Sequence, residues 1–145
     1  MARAVSLQFI DTNVFLYAYD VDEGQRHDEA ARLVARLGRE RTGAISVQVL
    51  QELYVNLVRK TPTSVGRTMA RDEIRRIARW PTHSPLAHDV VAAAEIADEN
   101  TISFWDAMII RSASQMDCPV LWTEDPNSGQ RISGVESRSP FPVEP

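Results

Sequence analysis

The chain of 145 residues and 16.3 kDa has room for one ordinary domain, and its 43% hydrophobic and 25% charged content excludes wholesale disorder. A single cysteine, Cys118, excludes an intrachain disulfide and any Cys-rich zinc site, and the longest apolar runs, such as Val90–Ala94, fall far short of the ~20 residues that span a bilayer. A net charge of −4 excludes nucleic-acid binding by bulk charge alone.

The first predicted element is a short buried strand over Leu7–Ile10, ending at Asp11, followed by a core-facing helical segment over Val14–Tyr19. The residues before it contain no apolar core of signal-peptide length, which predicts a cytoplasmic protein. Ala30, Leu33, Val34 and Leu37 recur at helical spacing, predicting a helix over Arg26–Gly38 with Gly38 as its C-cap. Ala44–Val47 is a second strand. The helix after it carries the apolar stripe Val47, Leu50, Tyr54, Leu57 and Val58 and stops at Thr61-Pro62. Ser64–Ala78 is a basic helix, Trp80–Pro85 a loop punctuated by two prolines, and Leu86–Asp98 an Ala/Val-rich helix. A last helix covers Phe104–Met116, a third strand Pro119–Thr123 and a turn Pro126–Gly129, and the tail from Ser133 is expected to add an edge strand. Strands spaced by helices predict a single α/β domain over 1–145, a three-layer α/β/α sandwich around a mostly parallel sheet, with helix exceeding strand.

Charge is segregated along this framework. Residues 59–79 carry seven basic and two acidic side chains, a local net of +5, so the remainder carries −9. Arg67, Arg71 and Arg75 on the basic helix are candidate phosphate contacts, and a solvated helix face is the plainer alternative. Trp80, Trp105 and Trp122 are of a type that stacks on unpaired bases, although core placement is the expectation for each. His27, His83 and His88 show no ligand spacing and receive no role.

Four acids fall where an α/β fold presents ligands, outside the carboxyl ends of its strands: Asp11, Glu52, Asp106 and Asp125. Each has an ordinary explanation. Asp11 suits an N-cap, Asp125 a turn, Ser103 and Asp106 a capping box, and Glu52 a solvent-facing helix position. Two features point further. Asp106 heads the stripe Asp106, Ile109, Ile110 and Ala113, which should face the core, while Glu52 lies off the apolar stripe of its own helix. Lys60 is the only lysine, and Arg111 is the one arginine near these acids in sequence. Carboxylates that converge without a basic partner raise one another's pKa values, and a divalent cation is the simplest neutraliser. Oxygen-only ligands select Mg²⁺ or Mn²⁺ over zinc, and such an ion suits phosphodiester hydrolysis.

At these positions the chain resembles the PIN-domain nucleases, most closely the VapC-type toxins of bacterial toxin–antitoxin pairs. The matching pieces are Phe9-Ile10-Asp11-Thr12-Asn13-Val14, Ile45-Ser46-Val47-Gln48-Val49-Leu50-Gln51-Glu52, Ile102-Ser103-Phe104-Trp105-Asp106-Ala107, and Leu121-Trp122-Thr123-Glu124-Asp125 with Gly129-Gln130 after it. Ser139-Pro140-Phe141 is similar to the family's tail, and Pro126 departs from it, standing where an aliphatic residue commonly follows the last acid. The resemblance implies a Mg²⁺- or Mn²⁺-dependent endoribonuclease with an RNA substrate, a cognate antitoxin protein and a homodimeric state. It implies that Asp11 and Asp106 are the principal metal ligands and that Glu52 and Asp125 complete the acidic pocket. Asn13, Ser46 and Thr123 would position ligands or water. Two alternatives stay open: an RNA-processing nuclease of the same fold without an antitoxin, and a non-catalytic module that binds only a metal or a partner.

Overall fold

The computed structural model describes residues 5–124 and 129–142. It contains six helices and six strands among those residues. Strand β1 (Gln8–Ile10) leads into α1 (Thr12–Tyr19), a 3-10 turn over Val21–Glu23 and α2 (Gln25–Glu40). Then come β2 (Gly43–Ser46), α3 (Val47–Lys60), α4 (Ser64–Ile77) and β3 (Thr82–His83). The chain continues through α5 (Ala87–Asn100), α6 (Phe104–Gln115), β4 (Val120–Trp122), β5 (Arg131–Ile132) and β6 (Val135–Arg138).

The strands form one sheet in the order β3-β2-β1-β4-β6-β5, parallel throughout except for the antiparallel β5–β6 pair. From β1 the chain steps outward to β2 and then β3, so right-handed crossovers place α1 to α4 on one face. The step from β3 back to β4 reverses direction and places α5 and α6 on the other. Packing follows this division: α1 with α2 and α3, α3 with α4, and α5 with α6. The layers meet in one core, in which Phe9, Ile10, Phe15, Leu37, Ile45 and Leu53 are fully buried. Because β2 and β4 flank β1 on opposite sides, the direction of winding switches at β1, and the carboxyl end of β1 faces the crevice this creates.

Three local expectations are corrected. Helix α2 runs past Gly38 to Glu40 and ends on Arg41, in the left-handed region at φ 58°, with the Thr42 amide donating to the Leu37 carbonyl at 3.0 Å. Trp80 lies against Gly38 and over Gly43, where any β-carbon would overlap its ring. The proline-flanked segment after α4 contains the short strand β3, paired with β2 through Ile45 and Ser46. The tail strand β6 is internal, between β4 and β5, so the edge belongs to β5. No helix among the described residues is long and apolar enough to cross a membrane.

Candidate active site

Asp11 leaves β1 at the switch in winding direction and is the N-cap of α1. Its Oδ1 accepts from the Thr12 amide at 2.7 Å and its Oδ2 from the Thr123 hydroxyl at 2.9 Å. The Asp11 amide in turn donates to the Trp122 carbonyl at 3.0 Å, so the residue is stitched to the end of β4 by both backbone and side chain. Capping therefore explains only one of its two oxygens. Thr123 is buried.

Glu52, half-buried on α3, is reached from two sides. The Thr12 hydroxyl donates to its Oε1 at 3.3 Å, and Gln48, one turn earlier on the same helix, donates to the same oxygen at 3.1 Å. Gln48 Nε2 also donates to the Trp105 carbonyl at 3.2 Å, while its own Oε1 is buried with no partner among the described residues. Both neighbours of the amide nitrogen are acceptors, which settles the orientation of the amide. A continuous run of hydrogen bonds thus leads from Thr123 through Asp11, Thr12, Glu52 and Gln48 to the backbone preceding Asp106.

Asp106 corrects an expectation. It is exposed, because the buried stripe of α6 begins one residue later at Ala107. The Ser103 hydroxyl caps this helix by accepting from the Asp106 amide at 3.1 Å, and the Asp106 carboxylate has no hydrogen bond or ion pair among the described residues. Arg111 does not reach it, being bonded through Nε to Asp89 at 2.9 Å.

The electrostatics follow from this arrangement. Burial pushes the Asp11 carboxyl up to about 6 against the hydrogen bonds from Thr123 and Thr12, and the nearby Glu52 and Asp106 carboxylates add to the rise. None of these three acids has an ion-pair partner among the described residues. Nor, among those residues, are three His, Cys, Asp or Glu side chains gathered closely enough to hold a metal ion by themselves. Asp125 and Pro126 lie outside the described residues. The donors present are all oxygen, and one of them is a carboxylate whose charged form is disfavoured by burial and by two neighbouring carboxylates. This chemistry fits a hard divalent ion such as Mg²⁺ or Mn²⁺.

The supporting residues divide. Thr123 touches Asp11 directly, but Ser46 is fully buried and caps α3 by accepting from the Val49 amide at 3.4 Å. Asn13, exposed on α1, lines a cleft of about 270 Å³ with Asp20, Glu23, Lys60 and Glu124. Beside it, Arg26 pairs with Glu124 and lies over the rings of Tyr17 and Phe141, at 5.6 and 5.0 Å from their centroids, which anchors the end of β4. On α4, Arg67, Arg71 and Arg75 are exposed and make no bond to the acids; Arg75 pairs with Asp72 at 2.8 Å and Arg71 donates to Thr68. Among the tryptophans, Trp80 and Trp122 are half-buried as expected, whereas Trp105 is 64% exposed, contrary to its expected core placement. Sequence reading missed Thr12 and Gln48. Their signals were adjacency to Asp11 and the four-residue spacing to Glu52.

Comparison with known proteins agrees with the fold. A family model described as PIN domain matches residues 9–132. No curated protein matches the chain. Among solved structures, the chain is similar to one in a toxin–antitoxin complex from Klebsiella pneumoniae, at 20% identity and a TM-score of 0.66, covering 94% of this chain and 99% of that one. It is also similar to VapC20 of Mycobacterium tuberculosis, described as a Sarcin-Ricin loop cleaving toxin, at 22% identity and a TM-score of 0.63, covering 82% and 90%. A third is VapBC2 from Rickettsia felis, bound to a DNA fragment from its promoter, at 20% identity and a TM-score of 0.65, covering 92% and 98%.

Proposed function

Because the chain belongs to the PIN-domain family, we propose that it is a Mg²⁺- or Mn²⁺-dependent endoribonuclease and the toxin of a toxin–antitoxin pair. The observation that carries this reading is Asp11: a carboxyl at the switch in winding direction, raised to about 6, beside two more carboxylates and with no ion-pair partner among the described residues. The likeness to VapC20 and to chains of toxin–antitoxin complexes supports RNA as substrate and an antitoxin protein as partner. Homodimeric assembly in the cytoplasm belongs to the same reading.

Asp11 and Asp106 would be the principal ligands of the ion, with Glu52 and Asp125 completing the pocket. When bound, the ion supplies Lewis acidity at a phosphodiester and a more acidic water. The chain's own residues hold this arrangement in register. Thr123 fixes one Asp11 oxygen, the Thr12 amide fixes the other, and Thr12 with Gln48 turns Glu52 toward the same crevice. Asn13 would orient substrate or water at the mouth, and Ser46 acts through its helix cap. The exposed guanidinium groups of Arg67, Arg71 and Arg75 would contact phosphates farther along the RNA.

The test is cleavage of RNA by partner-free protein with Mn²⁺, with and without EDTA, alongside Asp11→Asn. Cleavage abolished by EDTA and absent in the variant is expected, together with Mn²⁺-induced thermal stabilisation that only the wild-type chain shows. Stabilisation without cleavage of any RNA would leave a metal-binding module. Growth arrest on expression, relieved by the product of a neighbouring reading frame, tests the toxin role, and a nuclease harmless to its host would be an RNA-processing enzyme instead.

A further inference from the structure

Trp105 is a large aromatic side chain left 64% exposed in the first turn of α6, immediately before Asp106. The other two indoles have work inside the fold: Trp80 packs against Phe15 at a ring separation of 5.5 Å, and Trp122 donates through Nε1 to Gln8 at 2.7 Å. The Trp105 indole nitrogen has no partner among the described residues, and the only ring against it is Phe104, which meets it edge-on at 5.1 Å and 74°. Edge-on support props a ring while leaving a face open. Its backbone, by contrast, is fixed, because the Gln48 amide that binds Glu52 also binds the Trp105 carbonyl. The indole is therefore held at a set place relative to two of the acidic side chains while its surface meets solvent.

We infer that Trp105 is a stacking shelf for an unpaired nucleobase flanking the phosphodiester at the acidic site. The inference rests on the proposed RNA-cleaving activity and adds a binding subsite to it. A nucleobase is the occupant favoured by position. A phosphate engaged at Asp11 and Asp106 carries its own base within a few ångströms, and a flat π-face accepts any base without hydrogen-bond readout. A carboxylate-lined crevice repels the phosphate backbone unless the cation is present, so stacking supplies affinity that this acidic surface otherwise lacks.

The experiment compares wild type, Trp105→Ala and Trp105→Tyr in Mn²⁺-dependent RNA cleavage. Loss of the ring should raise KM about tenfold, within the range for one stacked base, with kcat changed less than twofold, and tyrosine should restore most of it. A substrate made abasic on both sides of the cleaved bond should raise the wild-type KM to the alanine value and leave the alanine variant unaffected. Mn²⁺-induced thermal stabilisation should be equal in wild type and Trp105→Ala, which separates stacking from damage to the acid site. An unchanged KM in Trp105→Ala overturns the inference, and if capture of a purified antitoxin is weakened at the same time, the ring is a protein contact. Absence of RNA binding and cleavage by the wild-type chain overturns the inference and the nuclease reading together.

Discussion

At Asp11, a single carboxyl carries opposing demands. The Thr12 amide and the Thr123 hydroxyl favour its anion, yet burial and two neighbouring carboxylates favour its acid, and the balance lies at about 6. An unfolded aspartate titrates near ~3.9. The metal-free folded state therefore binds the proton more tightly, and its stability falls as pH rises from about 4 through 6. At neutral pH the full penalty is ~3 kcal/mol. Asp11→Asn removes it and weakens the charge-assisted hydrogen bonds, leaving an expected net gain of ~1–2 kcal/mol at pH 7 to 8 that vanishes by about pH 4. Thermal melts across that range in EDTA check this, and a gain independent of pH would contradict the assignment. Gln48 presents the complementary case: an amide holding Glu52 and the Trp105 carbonyl while its own oxygen stays buried and unpaired. Gln48→Leu removes an unsatisfied acceptor as well as two donor contacts, so stability measured by urea unfolding should change by no more than ~1 kcal/mol. Cleavage should nevertheless fall about tenfold or more, as when outer-shell partners of a metal site are lost.

Between elements, a buried polar cluster lies away from the acids, where α5 meets α6. Asp89, only 2% exposed, accepts from the Leu86 amide at 2.8 Å and from Arg111 Nε at 2.9 Å, and has His83 and His88 at 3.7 and 3.6 Å. The Leu86 amide, and then Arg111, hold its carboxyl below the usual range. Burial lowers the pKa of His83, whose Nδ1 meets the Ser112 hydroxyl at 2.8 Å. Removing one partner of such a group strands the other. Asp89→Ala should cost ~3–5 kcal/mol in urea unfolding at pH 7. The contribution of Asp89 is present above the ordinary carboxylate range and is lost as pH falls below it. None of this was legible in the sequence, since residues 83, 89 and 111 share no helical period and meet only through the packing of α5, α6 and β3.

Across the whole molecule, what could be read in advance was what repeats. Apolar residues at helical spacing located all six helices to within a few residues, and the short apolar runs located β1, β2 and β4. Strands of two residues carry no period of their own, which is why β3 and β5 emerge only from their partners. The candidate acids could be proposed in advance because Asp11 and Asp125 follow expected strands while Glu52 and Asp106 lie in the first two turns of helices, where parallel folds gather ligands. Of their supports, Thr123 was named in advance, whereas Thr12 and Gln48 were signalled only by adjacency to Asp11 and by spacing to Glu52, and their roles emerge once α1, α3 and α6 converge on one crevice.

The position of β6 has a consequence in time. The Thr123 amide donates to the Arg138 carbonyl at 2.9 Å, and β4 has β6 as its neighbour on the side away from β1. Without residues 135–138, β4 would lack its neighbour on that side and the Thr123 amide would lose its bond to Arg138. The grip on Asp11 therefore waits on a strand that follows every one of the candidate acids in the chain, so β6 closes the crevice after its parts are already present.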